Sequence, residues 1–113
     1  MASGSCWLVS AGHVLASAEI AEGRRHRLVG LLGRTSVEGA FVIPRCRWVH
    51  TFGMKMPLDV AHVDASGTVL RTVRMAPHRV GAPMRRAHLV IEAEAGAFDR
   101  WGLRVGDIVE VRR

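Results

Sequence analysis

The sequence predicts an α+β fold: a small, β-rich, barrel-like single domain over residues 1–113, with two short helices. Three observations carry that reading. Apolar stretches are short and turn signals interrupt them often, which is the spacing of a strand-rich chain. Helical periodicity is confined to two segments. Apolar residues make up 49% and charged residues 23% of the 113, an ordinary globular mixture that can build a core without metals or disulfides.

Residues 6–20 read as a strand, a turn at Gly12 and a second strand. The first helix is expected from Glu22 to Leu32. Within it Leu28, Leu31 and Leu32 fall at helical spacing and form a core face, while Arg24, Arg25 and Arg27 take the other side. Gly33 stands where a residue with positive φ would end that helix, whereas Gly23 and Gly30 each weaken it by about 1 kcal/mol relative to alanine. Ala40 to Ile43 is a strand that Pro44 stops. Leu58 to Val63 and Thr68 to Val73 form a hairpin through Asp64-Ala65-Ser66-Gly67, a type I turn with glycine at the left-handed position. Pro77, Gly81 and Pro83 mark a long loop, and Ala87 to Ala93 returns as a strand. Gly96 to Trp101 suits the second short helix, closed by Gly102 with Leu103 folding back. Gly106-Asp107 then turns the chain into a last strand, Ile108 to Val111.

Sixteen basic residues face ten acidic ones, giving a formal charge of +6, and Lys55 is the lone lysine. The arginines come as scattered pairs such as Arg24-Arg25, Arg85-Arg86 and Arg112-Arg113, with no run that would make a basic arm. Tyrosine is absent, so aromatic platforms for stacking bases are few. This argues against specific nucleic-acid recognition. Cys6 and Cys46 lie far apart in no C-x-x-C pairing, and His62 with Asp64 is too sparse a ligand set for a metal. His13, His26, His78 and His88 are isolated and read as structural. No apolar stretch approaches the roughly 18 residues of a membrane span. Ser10, Gly12, His13 and Ser17 interrupt the apolar character of the N-terminal segment, so a cytoplasmic, non-membrane protein is expected.

Reactive side chains are densest in His50-Thr51-Phe52-Gly53-Met54-Lys55-Met56-Pro57-Leu58-Asp59. Gly53 and Pro57 stiffen a backbone that presents an imidazole, a hydroxyl, an ammonium and a carboxylate just before a strand, as a binding loop on a rigid scaffold would. Asp59 opens that strand between Leu58 and Val60, so an inward carboxylate needs a cationic partner. Arg34, the first charged residue after the apolar helix face, is expected to supply it with a bidentate grip. No nucleophile elbow, P-loop or dinucleotide fingerprint is present, and no cofactor is implied.

The strings Arg27-Leu28-Val29-Gly30-Leu31-Leu32-Gly33-Arg34 and His50 to Val60, with Val90-Ile91-Glu92-Ala93-Glu94-Ala95-Gly96 and Trp101-Gly102-Leu103-Arg104-Val105-Gly106-Asp107, resemble a prokaryotic family, domain of unknown function 192. The likeness runs in order over about residues 20–111. It implies a compact, β-rich α+β domain and no established activity. The positions it marks are Gly30, Leu31, Arg34, Met54, Pro57, Leu58, Asp59, Glu92, Gly96, Gly102, Gly106 and Asp107. Many members carry an export signal, which is not seen in this sequence, and many carry bulkier aromatic residues where His50-Thr51-Phe52-Gly53 stands here. Its glycines and prolines serve backbone geometry, whereas Arg34, Lys55, Asp59 and Glu92 are polar groups beside apolar strands that need a reason.

Candidate site residues are therefore Arg34, His50, Thr51, Met54, Lys55, Asp59, Glu92 and Asp107. The leading expectation is a non-enzymatic binding or accessory module that presents the His50–Asp59 loop to a protein or small ligand. An enzyme would use Asp59 or Glu92 as acid–base group, with Arg34, His50 or Lys55 as electrostatic partner. The third reading is weak nucleic-acid binding through the arginine pairs. A charge of +6 spread in pairs should retain nucleic acid of any sequence at low salt and release it near physiological salt, where the Debye length is about 8 Å. A mobility-shift titration across salt checks this, and tight binding to one sequence at physiological salt would contradict it.

Overall fold

The structure, a computed structural model, describes residues 6–23 and 29–113. Its strands are β1 (Cys6–Ser10), β2 (His13–Ile20), β3 (Ala40–Pro44), β4 (Leu58–Val63), β5 (Val69–Met75), β6 (Leu89–Glu94) and β7 (Val109–Arg112), with helix α1 (Ala97–Trp101) between the last two. They form one sheet in the order β5-β4-β6-β3-β2-β1-β7, antiparallel throughout except where β2 runs beside β3. The sheet curls into a half-barrel. Its two edge strands approach at one corner, where Thr68 bridges Ile108 and the Val69 and Val109 amides bond to the Asp107 and Gly67 carbonyls at 2.8 Å.

Turn chemistry explains the connections. Ala11 and Gly12 both take positive φ, so two residues close the β1–β2 hairpin in the hand that matches strand twist. Gly67, at φ 91°, completes the β4–β5 turn, and a side chain there would collide with the Val109 carbonyl. Helix α1 ends as its sequence requires: Gly102 is left-handed, and the Leu103 amide returns to the Phe98 carbonyl at 2.9 Å.

The two-helix α+β expectation is corrected. Among the described residues one helix of five residues stands beside seven strands, so the fold is a β half-barrel. Of the expected Glu22–Leu32 helix, Arg24, Arg25, His26, Arg27 and Leu28 lie outside the described residues. Leu31 is 2% exposed and Leu32 is 49% exposed, so they do not share a buried face. Gly30 and Gly33 both take positive φ; the chain turns here and drops Leu31 into the core. Among the described residues, Leu31, Val37, Val49 and Met54 cover this side of the sheet.

Alternation along the strands sorts the core into two clusters. Ala40 and Val42 of β3, with Ala61, Val63, Ile91 and Ala93, pack beneath Phe98 and Leu103. Phe41 and Ile43 point the other way, with Leu58, Val60 and Val90, and meet Leu31, Val37, Val49 and Met54 from the covering loops. Strand β4 lies between β5 and β6 and is buried along its whole length.

Burial on both faces forces Asp59 to find partners. It does not meet Arg34. Its Oδ2 accepts the Gly96 and Phe98 amides at 2.9 and 3.2 Å, and its Oδ1 accepts Arg74 Nε at 3.0 Å. Arg74 sits directly opposite it on β5. Arg34 instead grips both oxygens of Glu19, at 3.2 and 3.1 Å, with its guanidinium 5.8 Å from the Phe41 ring centroid. Two consequences separate these pairs. Asp59→Ala should cost about 2–4 kcal/mol, because it leaves the buried Phe98 amide and the part-buried Gly96 amide unsatisfied. Arg34→Ala removes a half-exposed pair and should cost about 1 kcal/mol or less. Urea denaturation of the two variants should show that ranking, and equal losses would contradict it.

Candidate functional site

Thr51 sets the shape of the loop that follows β3. It is fully buried, its hydroxyl lies 2.7 Å from the Ala76 carbonyl and accepts the Arg79 amide at 2.8 Å, and its own amide bonds the Arg79 carbonyl. The His78 and Met54 amides both return to the Thr51 carbonyl. With the His50–Val80 bridge and the bond from the Gly81 amide to the Val49 carbonyl, segment 47–54 is laced to segment 76–84 as a second layer over the sheet. Gly53 is left-handed at φ 77°, and a Cβ there would lie 2.7 Å from Leu32 Cδ1. That glycine lets the Leu32 side chain lie against the loop.

Between this layer and the sheet lies a cavity of about 770 Å³, lined in part by Leu31, Ile43, Val49 and Met54, with Glu92 among them. At its mouth stand Val29, Leu32, Trp48 and Phe52, all exposed large apolar side chains. Trp48, His50 and Phe52 follow one another in a row, with ring centroids 6.1 and 5.1 Å apart. Arg45 and Cys46 complete the polar part of the lining, Cys46 donating its thiol to the Trp48 carbonyl.

Glu92 reaches this cavity because β6 runs between β3 and β4, where it sits opposite Phe41 and Val60. It is 5% exposed, and burial alone pushes its carboxyl up to about 7. No hydrogen-bond donor or cation among the described residues meets it. A second buried titratable group shares its sheet face. His62, opposite Val90, bonds Arg71 through Nε2 at 3.2 Å and leaves Nδ1 unpaired. Burial first, and the Arg71 guanidinium second, push it down to about 4.

The remaining sequence candidates are dispersed. His50 and Met54 line the cavity with Glu92; Thr51 anchors its roof; Lys55 is exposed and outside the lining. Asp59 lies on the opposite sheet face with α1, and Arg34 is held by Glu19. Asp107 accepts the Arg104 amide and shapes the turn before β7. Trp48 and Ile43 were not singled out from sequence, since neither is a reactive type. The three-residue spread of Trp48, His50 and Phe52 was the available signal, because alternate positions on an extended segment share a side. Among the described residues no three His, Cys, Asp or Glu side chains gather as a metal site, and no helix is long and apolar enough to cross a membrane.

Comparison places the chain among known folds. Residues 7–111 match the family DUF192, described as an uncharacterized ACR. A protein of unknown function from Novosphingobium aromaticivorans is similar in structure, with TM-score 0.74, 23% identity, and 94% of this chain and 83% of that one covered. A protein from Sinorhizobium meliloti, assigned provisionally as a transcription regulator, gives TM-score 0.78 at 22% identity, covering 95% and 92%. At such identities the likeness concerns the fold. No curated protein matches the chain.

The opposite shifts of Glu92 and His62 have opposite effects on stability. The folded chain keeps a proton on Glu92 that the unfolded chain releases above about 4.5, so stability should fall as pH rises from there to about 7. His62 stays neutral in the fold down to about 4, while the unfolded imidazole charges below 6.5, so its contribution rises with pH over that window. Each is worth about 3 kcal/mol, and they largely offset one another. Glu92→Gln should therefore turn a flat profile between pH 5 and 6.5 into one that climbs with pH. Stepwise chemical denaturation reads this, and an unchanged slope would contradict it.

Proposed function

The chain belongs to the DUF192 family, and on that premise we propose that it is a non-enzymatic binding module whose cavity beneath the 48–54 loop takes a small ligand with an apolar body. One observation carries the reading: exposed Trp48 and Phe52, with Val29 and Leu32, rim the same cavity that Leu31, Ile43, Val49 and Met54 line. Large apolar side chains grouped at a concave mouth, on a loop held by buried hydrogen bonds, are the usual makings of a ligand site. The volume of about 770 Å³ suits a small molecule. A non-enzymatic role is supported by the dispersal of the polar candidates: Asp59 caps α1, Arg34 holds Glu19, and Lys55 stands outside the cavity.

The test uses neutral aromatic fragments such as 2-phenylethanol, followed by chemical-shift perturbation. Signals of Leu31, Trp48, Phe52 and Met54 should move together. Trp48→Ala and Phe52→Ala remove side chains that are 47% and 51% exposed, so stability should change by less than about 1 kcal/mol while affinity falls about tenfold. Rim variants that bind as the wild type would contradict the proposal.

A further inference from the structure

The cavity contains a polar feature that an apolar ligand would not use. Two carboxylates are buried on β4 and β6, and the fold treats them differently. Asp59 has three donors, whereas Glu92, equally buried, has none among the described residues. A largely buried carboxyl without a protein donor is costly in a folded protein, and valine or leucine at that position would avoid the cost. Glu92 is not sealed in the core either, because it lines the cavity whose mouth carries the Trp48, His50 and Phe52 rings.

We propose that the ligand is a small organic cation, an ammonium on an aromatic or apolar body, with its charge against Glu92 and its body among the aromatic rings and apolar walls. This inference rests on the cavity being the binding site and adds the chemical class of its occupant. A carboxylate supplies the missing charge complement, and the faces of the Trp48 and Phe52 rings favour a cation approaching between them. An anionic ligand meets the opposite: its charge would have to lie beside a buried carboxyl. The other titratable or charged groups on the lining are Arg45, His50 and Cys46. Arg45 is exposed, and burial is the cause of the Glu92 displacement, so no lining cation among the described residues neutralises it. The overall charge of +6 acts through solvent and is screened beyond about 8 Å at physiological salt.

Three probes of one shape test this by titration calorimetry on the full chain at pH 8: 2-phenylethylammonium, neutral 2-phenylethanol and anionic phenylacetate. The ammonium should bind about tenfold or more tighter than the alcohol, the difference between a charge-assisted and a neutral hydrogen bond, and phenylacetate should bind most weakly. Glu92→Gln should erase the preference for the ammonium over the alcohol, with a far-UV circular dichroism spectrum like the wild type's to show that the variant is folded. Phenylacetate binding as tightly as the ammonium would overturn the inference, as would an ammonium preference that survives Glu92→Gln. Binding of the alcohol with no gain for the ammonium would overturn the cation alone and leave the binding module standing. Failure of all three probes to bind would overturn both.

Discussion

Strand β4 is buried on both faces, and the rest of the structure follows from how its polar residues are accommodated. A strand between two neighbours in a curled sheet has no solvent side, so every polar side chain on it is either paired or leaves a cost. Asp59 shows the paired outcome. One carboxylate joins β4 to the amides that open α1 and to the arginine opposite it on β5. The helix has only five residues and would not stand alone in water. It forms because the carboxylate satisfies its first amides, while Phe98 and Leu103 seat it on the inner cluster. The same interaction fixes the angle at which the chain leaves β6 and approaches β7, and thus where the half-barrel's edges meet.

The local elements were legible in the sequence because their signals are local. Gly12, Gly67 and Gly102 each stand at a left-handed position, and each was readable as a turn or a helix end. The Asp59 partner was misread for want of register. Counting back from the turn, where Val63 faces Val69, would pair position 59 with 73; a β-bulge between His62 and Val63 shifts the register by one and brings Arg74 opposite Asp59. Arg74 therefore lay one step out of the register that the turn implies, while Arg34 was favoured for its place after an apolar segment and for its bidentate fork. The amides of Gly96 and Phe98 were not recoverable, since they arrive through the pairing of β4 with β6, more than thirty residues away. The fold class failed for a related reason: leucines at helical spacing compete with two glycines of positive φ, and packing buries Leu31 while leaving Leu32 exposed.

The cavity was the least legible part, because three separate stretches build it. Gly23 with residues 29–32, the β3 end with the loop to Met54, and Glu92 of β6 share no sequence pattern. The loop from His50 to Asp59 was noticed as one cluster, yet the structure divides it. Its first half roofs the cavity, and its last residue caps a helix on the other sheet face. Thr51 marks the division. A hydroxyl buried beneath the loop and bonded to the next one turns what would be a mobile connection into a wall of fixed shape.

Glu92 and His62 are two buried titratable groups on this face, and they bear differently on the question of function. His62 is neutral and bonded to Arg71, and a neutral imidazole under a loop costs little. Its unpaired Nδ1 is a modest defect of packing. Glu92 has no such relief. Its charge is opposed by burial, no basic residue of the lining among the described residues offsets that, and the apolar neighbours Phe41 and Val60 would pack as well against a leucine. A group that weakens the fold, yet stands at the wall of a cavity, is accounted for by what enters that cavity rather than by what holds the sheet together. The same reasoning applied to Asp59, equally buried and fully bonded, returns a structural answer. Partners rather than burial distinguish scaffold from site in this molecule.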